Sequence, residues 1–212
     1  LTDEACLRVS SFGSLTHFRA ECAPAGAAER CVACPLEPSC MYSAIRHYVD
    51  TNREHWPAAV ASHDHSRAAH LHAITTGPYG RCVWRCDNDV VDHQVVAMEF
   101  GGGVTATFTM TAFTHHNSRK MRAHGTRGEV LYDEDIVTVR DFNSGNEERI
   151  RVAPEHGGHG GGDERVMRTW LQAIQAGTPA AVPTSVEESL RTHRIVFAAE
   201  QARLGRTTVE LR

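Results

Sequence analysis

The chain has 212 residues, a formal charge of −4 at pH 7, 41% hydrophobic residues and 23% charged residues. These proportions are typical of a globular domain and exclude a disordered chain. The acidic balance disfavours nucleic acid as the main partner, because proteins that bind phosphate backbones are usually basic. No stretch approaches the roughly 20 apolar residues of a membrane-spanning helix. The chain begins abruptly at Leu1, as a fragment or a processed product would. No signal-peptide pattern is visible near Leu1, and we expect a cytoplasmic protein.

The first third of the chain predicts a strand, an irregular insertion and two short helices. Residues 7–18 are rich in β-formers and predict a strand with a bulge at Gly13. Residues 20–40 contain four cysteines and three prolines, which predicts a segment without regular structure. Apolar residues at helical spacing predict a helix over 41–50, and a second helix is expected over 66–74.

A β-hairpin gives the clearest pattern in the sequence. Apolar residues alternate along 96–100 and again along 104–112, and a run of three glycines separates the two segments. The alternation predicts two antiparallel strands with one apolar face and one threonine face. The threonine face consists of Thr105, Thr107, Thr109 and Thr111. The apolar face requires a covering layer, most simply helices.

Short strands and two helices complete the predicted elements. Four strands are predicted over 119–124, 129–132, 136–142 and 148–152. Helical periodicity follows over 166–174 and ends at Gly177, and Ser185 with Glu188 forms a capping box for a last helix. A final strand is expected over 207–211. The order predicts an α+β fold: an open, predominantly antiparallel sheet with helices on one face and the Cys-rich insertion as an addition.

The insertion contains a candidate metal site formed by Cys22, Cys31, Cys34 and Cys40. Cys31 and Cys34 have the spacing at which two thiolates bind one tetrahedral zinc ion. We favour a structural zinc site over disulfides or free thiols, because little else would order this segment. The fourth ligand need not be Cys22, since Cys82, Cys86 or a histidine could replace it.

Two H-x-H pairs also suggest a metal at first sight. His63 with His65, and His70 with His72, lie in segments predicted as loop and helix, where residues i and i+2 point in different directions. We therefore favour exposed or hydrogen-bonded histidines over metal ligands, and a metallohydrolase has no complete ligand set.

Polar residues next to the hairpin form the candidate substrate site. Carboxylate, amide, imidazole and guanidinium groups are what a polyhydroxylated ligand needs for paired hydrogen bonds. A solvated loop is an equally good interpretation. The candidates in this segment are Arg81, Arg85, Asp87, Asn88, Asp89, Asp92, His93 and Gln94.

The glycine-rich segment 157–162 contributes two further candidates, His159 and Asp163. It precedes a predicted helix, and a helix N-terminus can bind an anion. It does not satisfy G-x-G-x-x-G, so a dinucleotide loop is not expected. In the simpler interpretation Asp163 is only the N-cap of that helix.

Several motifs in a fixed order resemble the C-terminal half of Gfo/Idh/MocA-type oxidoreductases, the glucose–fructose oxidoreductase and inositol dehydrogenase superfamily. The Cys-rich insertion indicates one bacterial subgroup. The tail, Gly205-Arg-Thr-Thr-Val-Glu-Leu211, is also similar. The motifs are Val9-Ser-Ser-Phe-Gly13, Arg30-Cys-Val-Ala-Cys-Pro35, Cys40-Met-Tyr-Ser-Ala44, Asp87-Asn-Asp-Val-Val-Asp-His-Gln94, His124-Gly-Thr-Arg-Gly-Glu129 and His159-Gly-Gly-Gly-Asp163.

This resemblance implies a dihydrodipicolinate-reductase-like C-terminal domain of a two-domain enzyme. The N-terminal Rossmann domain would bind NAD or NADP, and the family's catalytic lysine and histidine motifs would precede this chain. Residues 1–212 are then expected to be one substrate-binding and oligomerisation domain, with no catalytic residue of its own and no activity alone. The substrate would be a sugar, cyclitol or related polyol.

The family's open sheet face commonly forms a dimer, which makes the threonine face a candidate homo-oligomer interface. The alternative to the enzyme hypothesis is a freestanding, zinc-stabilised binding or scaffold module without catalysis.

Overall fold

A computed structural model describes residues 4–152, 158–178, 182 and 184–211. The chain divides into two compact units, one formed by Leu1–Phe113 with Ala199–Arg212 and the other by Thr114–Ala198. The predicted α+β class is confirmed, since the structure combines helices with two four-stranded antiparallel sheets. Each unit contains one of the sheets, so the predicted strands form two sheets and not the single sheet that was expected. None of the described helices is long and apolar enough to cross a bilayer.

The sheet of the first unit has the strand order β3-β2-β1-β8. Its strands are β1 (Cys6–Ser14), β2 (His93–Phe100), β3 (Thr105–Thr111) and β8 (Val209–Glu210). The predicted hairpin is therefore confirmed as β2 and β3, joined by the glycine turn at 101–103. The final strand is also confirmed, although it is shorter than predicted and pairs with β1.

The predicted bulge at Gly13 is wrong. The register of β1 shifts between Cys6 and Arg8, whereas Gly13 pairs regularly with Gln94. Glycine is needed there for a different reason, because a Cβ atom would lie 2.5 Å from the carbonyl oxygen of His93. A close backbone approach, and not an extra residue, explains the glycine in this strand.

The Cys-rich insertion packs against two short helices, α1 (Ala44–Tyr48) and α2 (Arg67–Thr76). Both helices begin at a serine cap: the Ser43 hydroxyl accepts from Arg46 N at 3.1 Å, and the Ser66 hydroxyl accepts from Ala69 N at 3.2 Å. The insertion itself contains only short 3-10 turns, as its composition predicted. Its core is formed by the buried Ala44, Val49 and Ile74, with Cys31, Val32, Ile45 and Tyr48 packed around them.

The second unit contains a meander sheet with the order β4-β5-β6-β7. The four strands confirm the sequence prediction to within two residues: β4 (Lys120–His124), β5 (Gly128–Asp133), β6 (Ile136–Asp141) and β7 (Glu147–Arg151). Helix α3 (Gly162–Ala176) ends at Gly177, as predicted, and this glycine adopts a left-handed conformation with φ 64°. Helix α4 (Val186–Gly205) begins after Ser185, whose hydroxyl accepts from Glu188 N at 3.2 Å, one of the two hydrogen bonds of the predicted capping box.

Candidate functional site

Asp92 is the buried centre of the candidate site, with a side chain that is only 1% exposed. It lies just before β2, next to the segment that follows β1, because Ser14 at the end of β1 pairs with His93. One carboxylate oxygen accepts from the backbone N–H groups of Thr16 and His17 at 2.8 and 2.7 Å. The other lies 2.8 Å from Nδ1 of His93 and 3.2 Å from the Thr16 hydroxyl. Antiparallel pairing of β1 with β2 thus assembles the centre.

The charge state of Asp92 follows from these contacts. Burial raises the pKa of Asp92, but the hydrogen bonds from His17 N, His93 and Thr16 outweigh it and hold the pKa well below its usual range. The carboxylate is therefore ionised at neutral pH and can only accept hydrogen bonds. Nδ1 of His93 must then carry the proton, which leaves Nε2 of this half-exposed ring available to a ligand.

Aromatic rings surround His17 and form what we call the aromatic cluster: His17, Phe18, Tyr42, Trp84 and Phe113. The His17 ring centroid lies 4.9 Å from that of Phe18 and 5.6 to 5.8 Å from the other three. Nε2 of His17 also lies 3.2 Å from the Tyr42 hydroxyl. Trp84 is buried, whereas Phe113 is half exposed. Ring surface beside a few fixed polar groups is the usual composition of a small-molecule site.

The predicted site residues of the 81–89 loop are engaged with one another and with the insertion. Arg81 forms an ion pair with Asp87 at 2.8 Å, and this hydrogen bond lowers the pKa of the Asp87 carboxyl. Arg85 pairs with Glu29 at 3.0 Å. These contacts fold the loop, and a role for them in substrate binding stays a prediction.

The remaining candidates of this segment differ in their surroundings. The Asn88 side chain accepts from Val90 N at 3.3 Å and closes a local turn, and Asp89 is exposed. Gln94 donates from Nε2 to the Ser11 hydroxyl at 3.0 Å, across the β1–β2 ladder. Of the predicted residues, Asp92 is the one bonded both to the His93 ring and to the backbone of His17, a member of the aromatic cluster.

His159 and Asp163 belong to the second unit. Nδ1 of His159 lies 2.9 and 3.0 Å from the two carboxylate oxygens of Asp163, and both residues are exposed. The interpretation of Asp163 as the helix cap is wrong, because Gly161 occupies the cap position with φ 85° and Asp163 lies inside the first turn of α3. Residue 157 of the predicted glycine-rich segment lies outside the described residues.

The structure does not support the zinc site predicted from the cysteines. All seven cysteines have free thiols, so the disulfide alternative is not supported either. Within residues 4–152, 158–178, 182 and 184–211, no three His, Cys, Asp or Glu side chains are grouped to hold a metal ion. The Cys22 thiol donates to the carbonyl oxygen of Thr16 at 3.3 Å. Cys31, Cys34 and Cys40 instead line one cavity together with Cys82.

The second H-x-H pair diverges as its helical position predicts. His70 is fully buried, and its Nδ1 donates to the carbonyl oxygen of Tyr48 at 2.7 Å, whereas His72 is exposed. These two rings therefore do not converge on one ligand.

Sequence reasoning missed Thr16 and the aromatic cluster. Residues 16–18 were included in the predicted strand, but β1 ends at Ser14 and the chain then turns to cover Asp92. The adjacent aromatic residues His17 and Phe18, directly after a strand, could have indicated the cluster. The Cys-rich segment follows them, and Tyr42 comes just after it.

Comparison with known families matches residues 42–211 to the C-terminal alpha/beta domain of an oxidoreductase family, GFO_IDH_MocA_C. The search of curated proteins found no match.

Three solved structures show a similar fold. Aldose-aldose oxidoreductase from Caulobacter crescentus, complexed with glycerol, has a TM-score of 0.55 and 15% identity over 100% of this chain and 43% of its own. A Thermotoga maritima protein provisionally classed as an oxidoreductase has a TM-score of 0.54 and 13% identity over 99% and 42%. An oxidoreductase domain protein from Kribbella flavida has a TM-score of 0.50 and 20% identity over 58% and 38%. The chain thus spans less than half the length of these proteins.

Proposed function

The chain belongs to the Gfo/Idh/MocA oxidoreductase family, matching its C-terminal alpha/beta domain, and on this premise we propose that it is the substrate-binding half of an NAD(P)-dependent dehydrogenase. The proposed substrate is a sugar, cyclitol or related polyol. One observation carries the proposal: the buried, ionised Asp92 accepts hydrogen bonds from the His93 ring and from the backbone of His17, whose ring lies in the aromatic cluster. The zinc-stabilised binding module has no comparable support, because the described residues offer no group for a zinc ion.

The Asp92–His93 pair suits a hydroxyl-bearing substrate. With Nδ1 directed at Asp92, His93 has Nε2 left for a hydrogen bond with a substrate hydroxyl. The aromatic cluster offers an apolar surface for the carbon skeleton. Alcohol oxidation also needs an acceptor for the proton and one for the hydride. The family resemblance assigns the proton to a lysine and a histidine outside this chain, so we propose His93 as a substrate-positioning group.

NAD or NADP would supply the hydride acceptor when it is bound. This chain contains no G-x-G-x-x-G motif that could cradle the pyrophosphate, so we propose that a Rossmann domain beyond this chain binds the cofactor. The glycerol found with the aldose-aldose oxidoreductase is itself a polyol, the substrate class proposed for this chain.

The threonine face of the first sheet is the proposed homodimer interface. Its threonines are all exposed, and the pairing of Phe12 with Val95 and of Val95 with Thr109 puts two apolar side chains on the same face. The side chain of Phe12 is 74% exposed, and such exposure is unusual for a large apolar residue on a strand. Sedimentation of the native protein tests this proposal, and a monomer at every concentration would contradict it.

Steady-state kinetics of the native protein that carries this chain test the proposed function. We expect NAD+ or NADP+ to be reduced with at least one member of a sugar and polyol panel. His93→Gln should raise KM for that substrate about tenfold, because one hydrogen bond to the ligand contributes about 1.4 kcal/mol. His72→Gln, at an exposed position on α2, is the matched control and should leave KM unchanged.

Two outcomes would contradict the proposal. The first is a folded protein that reduces neither cofactor with any member of the panel. The second is an equal effect of His93→Gln and His72→Gln on KM.

A further inference from the structure

A cavity of about 360 Å³ lies between the Cys-rich insertion and residues 82–84. Cys31, Cys34, Cys40 and Cys82 line it, and most of its other lining residues are apolar. Among the described lining residues, Glu37 alone has a charged side chain, and its carboxylate accepts from the Ser43 hydroxyl. Such a lining has few groups that could recognise a sugar or a nucleotide, so its distinguishing chemistry is the set of four thiols.

Local backbone structure fixes where these cysteines lie. Cys31 begins a 3-10 turn, and Cys34 N donates back to the carbonyl oxygen of Cys31 at 3.1 Å. Cys40 directly follows another such turn. Cys82 comes from a distant part of the sequence, but Cys82 N donates to Glu29 O at 2.9 Å next to a backbone bridge between residues 30 and 81. Backbone hydrogen bonds therefore hold together the two distant segments that contribute these four cysteines.

The Cys31 thiol is already arranged as a ligand. Its sulfur accepts from the backbone N–H of Ala44 at 3.4 Å, a contact that stabilises a thiolate. The same cavity is lined by Cys34, Cys40 and Cys82, so a group bound there would meet cysteines from both segments of the chain.

We propose that Cys31, Cys34, Cys40 and Cys82 ligate one iron–sulfur cluster. Four cysteine thiolates are the usual ligand set of such clusters, and backbone hydrogen bonds to the sulfurs are a recurring feature of their sites. A single zinc ion would require its four sulfurs to lie about 2.3 Å from one point. The described side chains contain no such group, but they surround a cavity with room for a larger inorganic core.

The other cysteines have different contacts, which makes them controls. The Cys22 thiol donates to Thr16 O, and the Cys86 thiol donates to Cys82 O at 3.3 Å. Neither residue lines the cavity. Tyr42 and Trp84 line it and also belong to the aromatic cluster, so a cluster bound here would lie next to the candidate substrate site.

Metal analysis of the native protein, purified without oxygen, tests the proposal without reference to enzymatic activity. We expect iron and acid-labile sulfide in equal amounts, the broad visible absorption of an iron–sulfur cluster, and an electron paramagnetic resonance signal in one oxidation state. Cys82→Ser should lose most of the iron. Cys22→Ser and Cys86→Ser should retain it.

Zinc as the only bound metal, disulfides among the four cysteines, or the absence of any metal would each overturn the proposal. So would wild-type iron content in Cys82→Ser. If Cys82→Ser fails to fold, the iron and sulfide content of the wild-type protein and of Cys22→Ser decides the question.

Discussion

Replacing Asp92 by alanine lowers the free energy of unfolding by about 3 kcal/mol or more, because it leaves buried donors without an acceptor. The substitution removes the partner of two backbone N–H groups, those of Thr16 and His17, and of the His93 ring. Urea denaturation of the wild type and the variant at neutral pH measures the difference. Asp87→Ala is the matched control, because Asp87 lies in the neighbouring loop, is well exposed and should change stability little.

The difference in unfolding free energy between the wild type and Asp92→Ala should depend on pH. The pKa of Asp92 is lower in the folded than in the unfolded protein, so its contribution is complete above the ordinary aspartate pKa of about 4. That contribution is lost as the pH falls through the lowered pKa of the folded state. The gap between the wild type and Asp92→Ala should therefore narrow in strong acid. A stability difference that is constant with pH, or that equals the difference for Asp87→Ala, would contradict the stabilising role of the ionised Asp92.

Gly80→Ala is expected to destabilise the first unit by about 3 kcal/mol through steric overlap. Gly80 is buried, and an added Cβ would collide with the backbone carbonyl of Ile74 near the end of α2. That carbonyl cannot move freely, because it accepts from the Arg30 guanidinium at 2.8 Å and Ile74 is fully buried in the core. Thermal unfolding measures the effect.

Gly125→Ala is the control for this prediction, since the nearest atom to an added Cβ there is Gly128 O at 3.4 Å, an ordinary contact. If both alanine variants melt at the same temperature as the wild type, the close packing of residues 77–80 on α2 is not as described.

Local sequence patterns were sufficient to predict most of the elements. The alternation over 96–112 could form only a hairpin, and Ser185 with Glu188 marked the start of α4, because both patterns act over a few residues. The division of the strands into two sheets could not be predicted. Which strands share a ladder depends on long-range pairing, and periodicity within each strand carries no information about it.

Only part of the candidate site could be predicted, because the rest of it also depends on long-range pairing. Asp92 and His93 were identified because polar groups begin an otherwise apolar strand. Thr16 and His17 were missed, since only the β1–β2 register brings them to Asp92. The rings around His17 were missed because they come from distant segments of the sequence. The cysteine grouping was also predicted in part: the sequence named Cys31, Cys34 and Cys40 and gave Cys82 as one alternative to Cys22. It could not select Cys82, because the approach of that residue depends on a backbone bridge between distant segments.

Deuterium transfer from a polyol to the nicotinamide cofactor tests the proposed dehydrogenase function most directly. The native protein carrying this chain would be incubated with NAD+ or NADP+ and with sugars and polyols deuterated at their hydroxyl-bearing carbons. The reduced cofactor would then be analysed by mass spectrometry. We predict deuterium in the reduced nicotinamide with at least one substrate, and less of it with His93→Gln. Unlabelled cofactor with every substrate, from a protein that is folded and binds the cofactor, would contradict the assignment as the substrate-binding half of a dehydrogenase.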